Sequence, residues 1–401
     1  MMAKDAPRVL LVCEFGAGIS HVRRMTEVAA HLQALGAECL AALNDPELGA
    51  PLRHLGVPVI QSVVWPARRR QPVAWKERQP RGLGDVLANL GVTRPEVLAP
   101  AIGHYDALFS LFRPDVVLSE NGFGALLAAR GRLPAIAFGT PNCLPPTKGD
   151  DLAPYDGAAH SPSWPTEQVL SGINAGLSAA DRPLLANMAA LLDEASAVMP
   201  FGPPELDLFA SNRRAPLLSP HLSGISAPMQ ARADAPEVFI YLHGFLQQRA
   251  AVMESLLSIA CPSRVFMPGL TEEWRARFPS HIRVATEPVP PARIVAQSRA
   301  VLHHGGRQMT ALCLATGLPQ AILAKESDNV LAARLVTRRG LGVACLLRDL
   351  TQDWLAQAAD QLHTDAAFGV RARNAAQDFA GWFGQDPTLA VARAALAQCR
   401  P

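Results

Sequence analysis

The chain has 401 residues, of which 49% are hydrophobic and 18% charged, and its formal net charge is +2. This length suits two domains of roughly 200 residues, and the composition is typical of a globular α/β protein rather than of a disordered chain. The nearly balanced charge excludes recruitment of nucleic acid or of an anionic membrane by the chain as a whole. We therefore expect no nucleic-acid partner.

The cysteines and the apolar segments predict a cytoplasmic protein. The seven cysteines are widely spaced and form no C-x-x-C pair, which favours reduced thiols over a disulfide framework or a zinc ribbon. The apolar run Val9 to Cys13 is too short for a secretory signal and is typical of a first strand. We expect no transmembrane segment, because no window of 18 apolar residues lacks a charge.

Short apolar strands alternate with helical segments in the N-terminal half. The run "RVLLVCEF" predicts a buried strand, and the segment after it predicts a helix that Gly36 ends. The predicted buried face of this helix is Val22, Met25, Val28, Ala29, Leu32 and Leu35. Further strands are predicted at "ECLAAL", "GVPVIQSV", "PDVVLSE" and "PAIAFGT". This alternation predicts βαβ units in a doubly wound parallel sheet.

Two long segments interrupt the alternation. Residues 65–82 are basic and contain two tryptophans, and residues 141–166 are rich in proline and small residues. Long loops in a compact α/β domain are often substrate loops, although a solvated surface insertion fits the same composition. For the basic loop we favour a solvated loop over a nucleic-acid site, because no recognised binding fold accompanies it.

The alternation restarts after a segment dense in Pro, Ser and Gly, which predicts two domains. We predict an N-terminal Rossmann-like domain over residues 1–222, a linker over 223–236 and a C-terminal Rossmann-like domain over 237–380. Residues 381–401 predict a final helix that packs back on the N-terminal domain.

The stretch "AVLHHGGRQMTALCLATGLPQ" carries the clearest chemistry. Its strand Ala300 to Leu302 leads into the turn His303–Gly306, and a helix follows from Met309 to Ala315. Glycines before a helix let the backbone approach a ligand, and the helix N-terminus attracts phosphate. A metal site would need further ligands, which nearby residues do not supply, so we predict a diphosphate site and no metal.

Spacing extends this stretch into a family signature. Gly317 and Pro319 follow His304 by 13 and 15 residues, and Asp328 and Asn329 follow it by 24 and 25 residues. The pattern "HHGGRQMTALCLATGLPQAILAKESDN" resembles the donor signature of nucleotide-sugar glycosyltransferases of UDP-glycosyltransferase type (family 1), as found in bacteria. Near the N-terminus, "GAGISHVRRM" resembles the "GHVRP" motif of the same family.

The resemblance implies the GT-B fold, in which two facing Rossmann-like domains with parallel sheets enclose an interdomain cleft. It implies that His304 contacts the diphosphate of the sugar donor. The backbone N–H groups after the double glycine and the Thr310 hydroxyl would donate further hydrogen bonds to this diphosphate. Asp328 and Asn329 would bind the sugar hydroxyls. The residues implied in donor binding are Gly244, His304, Gly305, Gly306, Arg307, Gln308, Thr310, Asp328 and Asn329.

The resemblance also implies a catalytic base. His21 matches the family's base, and Glu120 occupies the place of the carboxylate that orients it. A general base is needed because a hydroxyl is a poor nucleophile near neutral pH. Two departures concern the donor site: Leu312 stands where the family has a glutamate for the ribose, and Gln308-Met309 replaces a small or polar pair.

These motifs predict an inverting, metal-independent glycosyltransferase that moves a sugar from a UDP- or dTDP-sugar to a hydroxyl of a small-molecule acceptor, as in natural-product pathways. It needs no cofactor besides this donor, and the chain contains no D-x-D pair for a cation. Two alternatives remain open. One is another GT-B enzyme, either a nucleotide-sugar 2-epimerase or a lipid-intermediate sugar transferase. The other is a non-catalytic nucleotide-sugar-binding partner protein.

Overall fold

The computed structural model describes residues 6–15, 19–66, 80–156, 163–222, 224–225, 227–325 and 327–399, without the side chains of Ser327 and Asp328. The chain divides into two compact units. The N-terminal unit is Met1–His221 with Asp386–Pro401, and the C-terminal unit is Leu222–Gln385. Most of the basic loop predicted at 65–82 lies outside the described residues.

The N-terminal unit is built on a six-stranded sheet in which every pair of neighbours is parallel. Its strand order is β3-β2-β1-β4-β5-β8, and a short antiparallel pair, β6-β7, lies outside it. The strands are β1 (Arg8–Cys13), β2 (Glu38–Leu43), β3 (Val59–Gln61), β4 (Val116–Glu120), β5 (Ala135–Gly139), β6 (Thr147–Lys148), β7 (Asp151–Leu152) and β8 (Ala197–Pro200).

Helices cover both faces of this sheet. They are α1 (Ile19–Ala34), α2 (Ala50–His54), α3 (Leu83–Leu90), α4 (Pro95–Phe112), α5 (Phe123–Ala129), α6 (Thr166–Ala179), α7 (Ala190–Asp193) and, from the end of the chain, α15 (Pro387–Gln398). Residues of β1 point alternately into two cores, Leu10 and Val12 into one and Val9 and Leu11 into the other. This alternation explains why the strand is apolar throughout.

Helix α1 buries the predicted apolar face with one exception. Val22, Met25, Val28, Ala29 and Leu32 are buried, whereas Leu35 is 47% exposed. The prediction for Leu35 is wrong because the helix ends at Ala34 and the chain turns at Gly36, whose φ is +87°. Glycine adopts this left-handed conformation without steric cost.

The last helix, α15, belongs to the N-terminal unit. Its residues Val391, Ala392 and Ala395 are fully buried in the same core as α1. Asp386 caps the helix by accepting hydrogen bonds from the backbone N–H groups of Thr388 and Leu389 at 2.9 and 3.2 Å. This is the segment that the sequence predicted to return to the first domain.

The C-terminal unit repeats the parallel architecture with a six-stranded sheet ordered β11-β10-β9-β12-β13-β14. Its strands are β9 (Glu237–Tyr241), β10 (Ser263–Phe266), β11 (Ile282–Ala285), β12 (Ser298–His303), β13 (Gln320–Ala324) and β14 (Gly342–Leu346). Its helices are α8 (Ala250–Leu257), α9 (Glu272–Arg277), α10 (Pro291–Gln297), α11 (Arg307–Thr316), α12 (Ser327–Arg338), α13 (Trp354–Thr364) and α14 (Ala366–Ala375).

Short 3-10 helices connect several of these elements. They are Pro46–Gly49, Pro141–Cys143, Pro204–Leu206, Gly244–Gln248, Leu347–Asp349 and Ala376–Trp382. None of the helices in the described ranges combines the length and the apolar character needed to span a lipid bilayer.

The segment predicted as a linker, 223–236, lies within the C-terminal unit. Ala231 is buried, and its backbone N–H donates to the carbonyl of Thr316 at 2.7 Å. Met229 packs against the hydrophobic core that contains Ala231. The chain therefore passes between units near residue 222, ahead of most of the proline-rich segment.

Both sheets confirm the predicted α/β class, and each has one point where the strand order reverses. In the N-terminal unit the order reverses between β1 and β4, and in the C-terminal unit between β9 and β12. Ligands of open parallel sheets bind outside the carboxyl ends of the strands at such points. The residues that follow these four strands are therefore the first candidates for functional groups.

Candidate functional site

The reversal point of the N-terminal unit holds a buried carboxylate next to a histidine. Glu120 ends β4 and is fully buried, and His21 lies in the first turn of α1 with 18% of its side chain exposed. Nδ1 of His21 lies 2.9 and 2.8 Å from the two carboxylate oxygens of Glu120. The structure thus brings together the two residues that the sequence singled out for catalysis.

A third residue, Arg24, completes this cluster. It lies one helical turn after His21 and is 2% exposed, and its Nη1 donates to Oε1 of Glu120. The spacing of three residues places His21 and Arg24 on the same face of α1. The guanidinium also lies 5.2 Å from the ring centroid of Phe201. Glu120 therefore bonds to both basic residues.

These neighbours keep Glu120 ionised. Burial acts to raise its pKa, but the charges of His21 and Arg24 and the hydrogen bonds from His21 and Cys13 outweigh burial and lower the pKa to about 2. An ionised Glu120 accepts a hydrogen bond from Nδ1–H of His21. When His21 is neutral, this tautomer leaves a lone pair on the other ring nitrogen, Nε2, which is then the basic one.

The cluster also has atoms of the type that bind metals. The sulfur of Cys13, a ring nitrogen of His21 and a carboxylate oxygen of Glu120 lie within 4.8 Å of one another. The Cys13 thiol donates to Glu120 at 3.5 Å. The same carboxylate is bonded to the Arg24 guanidinium, so a permanent cation already balances its charge.

A second buried carboxylate, Glu14, directly follows β1 and holds the end of this strand through hydrogen bonds. It accepts hydrogen bonds from Nε1 of Trp65 at 3.0 Å, the Tyr105 hydroxyl at 2.7 Å and the backbone N–H groups of Gly124 and Ala125 at 3.0 and 2.8 Å. Burial raises its pKa, while these hydrogen bonds act in the opposite direction. Glu14 ties β1 to the start of α5 and thereby fixes the strand end that carries Cys13.

The reversal point of the C-terminal unit holds the double-histidine turn. His303 is fully buried, its Nδ1 accepts from the N–H of Gly305 at 3.1 Å, and its Nε2 lies 3.0 Å from Oε1 of Gln320. Burial lowers its pKa to about 4, and the bond to Gln320 opposes this shift. His303 therefore points into the domain.

The ring of His304 packs against that of a second histidine, His243. Its ring centroid is 3.8 Å from that of His243, which follows β9, and the two rings are inclined by 33°. Burial, followed by the neighbouring His243 and His303, lowers the pKa of His304 to about 3. Its Nδ1 is buried and makes no hydrogen bond within the described part of the chain.

The glycines of the turn meet the steric demands of a close backbone approach. Gly305 has φ +81°, and a Cβ there would lie 2.9 Å from Cγ2 of Ile322. Gly306 is the N-cap of α11, whose first residues, Arg307 and Gln308, are half-buried. The N-terminus of this helix presents backbone N–H groups and the positive end of its dipole, which suits a phosphate.

Gly244 is required for an independent steric reason. It begins the 3-10 helix after β9, and a Cβ at this position would lie 1.9 Å from the carbonyl oxygen of Pro268. No side chain fits without movement of the backbone. The neighbouring His243 and Phe245 have stacked rings with centroids 5.5 Å apart.

Thr310, which the sequence predicts as a donor-site residue, has a hydroxyl that is bonded within its own helix. The residue is fully buried, and its hydroxyl donates to the carbonyl of Gly306 at 3.0 Å. The helix begins at Arg307 rather than at Met309, so Thr310 lies within its first turns and bonds back to the residue four positions earlier. Its hydroxyl is therefore directed toward the backbone of its own helix.

Asn329 supports the turn. Its Nδ2 donates to the carbonyl of Gly305 at 3.2 Å, so it connects the start of α12 to the double glycine. Asp328 precedes it in the same helix, and its side chain lies outside the described residues. Leu312, at the position where the family has its ribose-binding glutamate, is 5% exposed and packs in an apolar core.

Sequence reasoning missed Arg24 and His243. The signal for Arg24 was its position three residues after His21 on a predicted helix. The signal for His243 was its place directly before Gly244 at a strand end, which parallels that of His304. Neither signal identifies a contact alone, because each contact depends on which strands are neighbours.

Part of the chain is similar in sequence to known proteins. Residues 264–388 match the family described as Erythromycin biosynthesis protein CIII-like, C-terminal domain. Elloramycin glycosyltransferase ElmGT from Streptomyces olivaceus is 34% identical over 102 residues, and this match covers 25% of each chain. The similarity in sequence to ElmGT thus spans a quarter of that relative's length.

Solved structures match over nearly the whole chain. Glycosyltransferase VinC in complex with DTDP has a TM-score of 0.66 and 16% identity, covering 98% of this chain and 99% of VinC. Spinosyn rhamnosyltransferase SpnG complexed with spinosyn aglycone has a TM-score of 0.67 and 18% identity, and the match covers 96% of this chain and 98% of SpnG. At these identities the matches establish the fold, which is GT-B.

The solved structures thus give the chain the GT-B fold that its motifs predicted, and the family match covers residues 264–388, about a third of the chain.

Proposed function

We propose that the protein is an inverting glycosyltransferase that moves a sugar from a dTDP- or UDP-sugar to a hydroxyl of a small-molecule acceptor without a metal ion. The observation that carries this proposal is the contact between Nδ1 of His21 and the buried, ionised Glu120, at 2.8 and 2.9 Å. This contact orients an imidazole as a base at a ligand-binding edge of the sheet.

The reaction follows from this base. Nε2 of His21 takes the proton of the acceptor hydroxyl while the hydroxyl oxygen attacks the anomeric carbon of the donor sugar. The bond between that carbon and the diphosphate oxygen breaks, and its electron pair leaves with the nucleoside diphosphate. Attack from the side opposite the leaving group inverts the anomeric centre. Glu120 stabilises the imidazolium that forms, as the carboxylate of a catalytic triad does.

The C-terminal unit would bind the donor. The N-terminus of α11 and the imidazole of His304 are suited to stabilise the negative charge that develops on the leaving diphosphate. The VinC complex contains DTDP, which supports a dTDP-sugar as donor here. The sequence has no D-x-D pair to hold a cation, which supports a metal-independent mechanism.

The acceptor would be a natural-product aglycone. SpnG, which has the same fold, is complexed with spinosyn aglycone, and the relative ElmGT is named for elloramycin. We therefore propose a polyketide or related small molecule with a free hydroxyl as the acceptor class.

Calorimetric titration with dTDP and UDP tests the donor site. We expect the wild-type protein to bind at least one of the two, and His304→Ala to bind it about tenfold or more weakly, because hydrogen bonds to charged groups contribute about 1.5–3 kcal/mol. His363→Ala, in α13 of the same unit, is the matched control and should bind as the wild type does. A wild type that binds neither nucleotide, or a His304→Ala variant that binds equally well, would contradict the assignment.

A further inference from the structure

We propose that Arg24 is a positioning residue for the catalytic pair: by sharing Glu120 with His21, it supplies the charge that balances the carboxylate and leaves His21 able to take a proton. This inference rests on the proposed role of His21 as the base. It assigns a function to a residue that lies beside the pair and that neither the motifs nor the comparisons identify.

The contact between Arg24 and Glu120 is electrostatically strong because both side chains are buried. Glu120 is 0% exposed and Arg24 is 2% exposed, so water screens neither group. A buried charge is tolerated only when it is paired and hydrogen-bonded. Nη1 of Arg24 donates to Oε1 of Glu120, and Nδ1 of His21 lies 2.8 Å from Oε2. The carboxylate thus has two basic partners, of which only arginine is charged at every relevant pH.

The need to balance the charge of Glu120 gives its two partners, Arg24 and His21, different roles. If His21 were the sole partner, the buried carboxylate would favour a protonated imidazole, because only that form would balance its charge. A protonated imidazole cannot accept the proton of a hydroxyl. With Arg24 present, the carboxylate is already balanced, and less is gained by holding a second positive charge on His21.

Among the described residues, the ion pairs of Glu120 include no other charged group that would take this role. From β1 the Cys13 thiol donates to Glu120 at 3.5 Å, and it is neutral when it donates. On the far side of Arg24, its guanidinium faces the ring of Phe201, which in turn lies 6.4 Å from the ring of His221. His221 is itself paired with Glu27 of α1. Within the described residues, Arg24 is thus the charged partner that Glu120 has besides His21.

The same helix provides a matched control. Arg23 is the neighbour of Arg24 in sequence, is half-buried, and carries the same charge. Replacement of Arg23 changes the net charge of the protein by the same amount as replacement of Arg24. A difference between the two variants therefore reports the contact with Glu120 and not the overall charge.

The test follows the ring signal of His21 by NMR in full-length protein carrying ¹³C-labelled histidine, with His21→Ala to assign the signal. We expect the signal in Arg24→Gln to change with pH about one pH unit higher than in the wild type, since a charge within about 4–6 Å shifts a titration by about one to three units. Arg24→Lys should restore the wild-type behaviour, and Arg23→Gln should not alter it.

The inference is overturned if folded Arg24→Gln titrates as the wild type does, or if Arg23→Gln shifts the signal equally. Should Arg24→Gln fail to fold, Arg24→Lys decides: wild-type titration supports the role, and a shift of one unit contradicts it. No donor or acceptor is present in this experiment. A failure of the proposed function, seen as a wild type that binds no dTDP or UDP, is therefore distinguishable from a failure of this inference.

Discussion

Replacement of His21 with alanine is expected to lower kcat for sugar transfer by about 10²- to 10⁴-fold, the range that a positioned general base contributes. Affinity for dTDP or UDP should stay unchanged, because the predicted donor residues lie in the other unit. The physical reason is that Nδ1 of His21 is fixed on Glu120, so Nε2 is the group that accepts the proton. Steady-state kinetics and calorimetry on the same preparations measure both quantities.

His31 offers a control on the same helix. It pairs with Asp386 at 2.8 Å and takes no part in the His21 cluster, so His31→Ala should keep kcat close to that of the wild type. If His21→Ala transferred sugar at the wild-type rate, His21 would not be the base. If it lost nucleotide binding as well, the assignment of separate roles to the two units would be wrong.

The second large effect concerns stability in acid. The pKa of Glu120 is lowered from 4.5 to about 2, so its ionised form stabilises the folded protein. A lowered pKa means that this stabilisation is fully present above about pH 4.5 and is lost as the pH falls toward 2. The shift corresponds to about 3 kcal/mol. At pH 6 the free energy of unfolding of Glu120→Gln should therefore be about 3 kcal/mol lower than that of the wild type. This difference between the two proteins should shrink as the pH approaches 2.

Denaturant unfolding of the wild type and Glu120→Gln at several pH values measures this difference. Glu38→Gln is the control, because the side chain of Glu38 is 56% exposed and its contact with Arg8 is a surface ion pair, which contributes about 0–1 kcal/mol. A difference between wild type and Glu120→Gln that stayed constant with pH would show that the carboxylate is not ionised in the folded protein.

The sequence predicted the parallel sheets well because buried strands have a local signature. The run "RVLLVC" is apolar at every position, and the structure shows that both its faces lie in cores. The alternation of such runs with helices is sufficient to predict βαβ units. The density of proline and serine predicts a linker at 223–236, but it does not indicate the bond from the N–H of Ala231 to the carbonyl of Thr316, 85 positions later.

The candidate site was predictable where a motif indicated its residues. His21, Glu120 and His304 were identified from spacing and resemblance, and the structure places each beside a reversal of strand order. Arg24 and His243 were not, because their contacts require knowing that β1 neighbours β4 and β9 neighbours β12. The bond from Thr310 to Gly306 was not predicted, because α11 begins two residues earlier than its apolar pattern indicated.

Mass spectrometry of complete reactions tests the central claim most directly. The full-length protein is incubated with dTDP- and UDP-sugars and a mixed panel of phenol, polyketide and sterol acceptors. We expect an acceptor whose mass has increased by one glycosyl residue, together with free nucleoside diphosphate, and we expect both only when donor and acceptor are present. Conversion of a nucleotide sugar without any acceptor, or binding of the donor with no glycosylated product across the panel, would contradict the account.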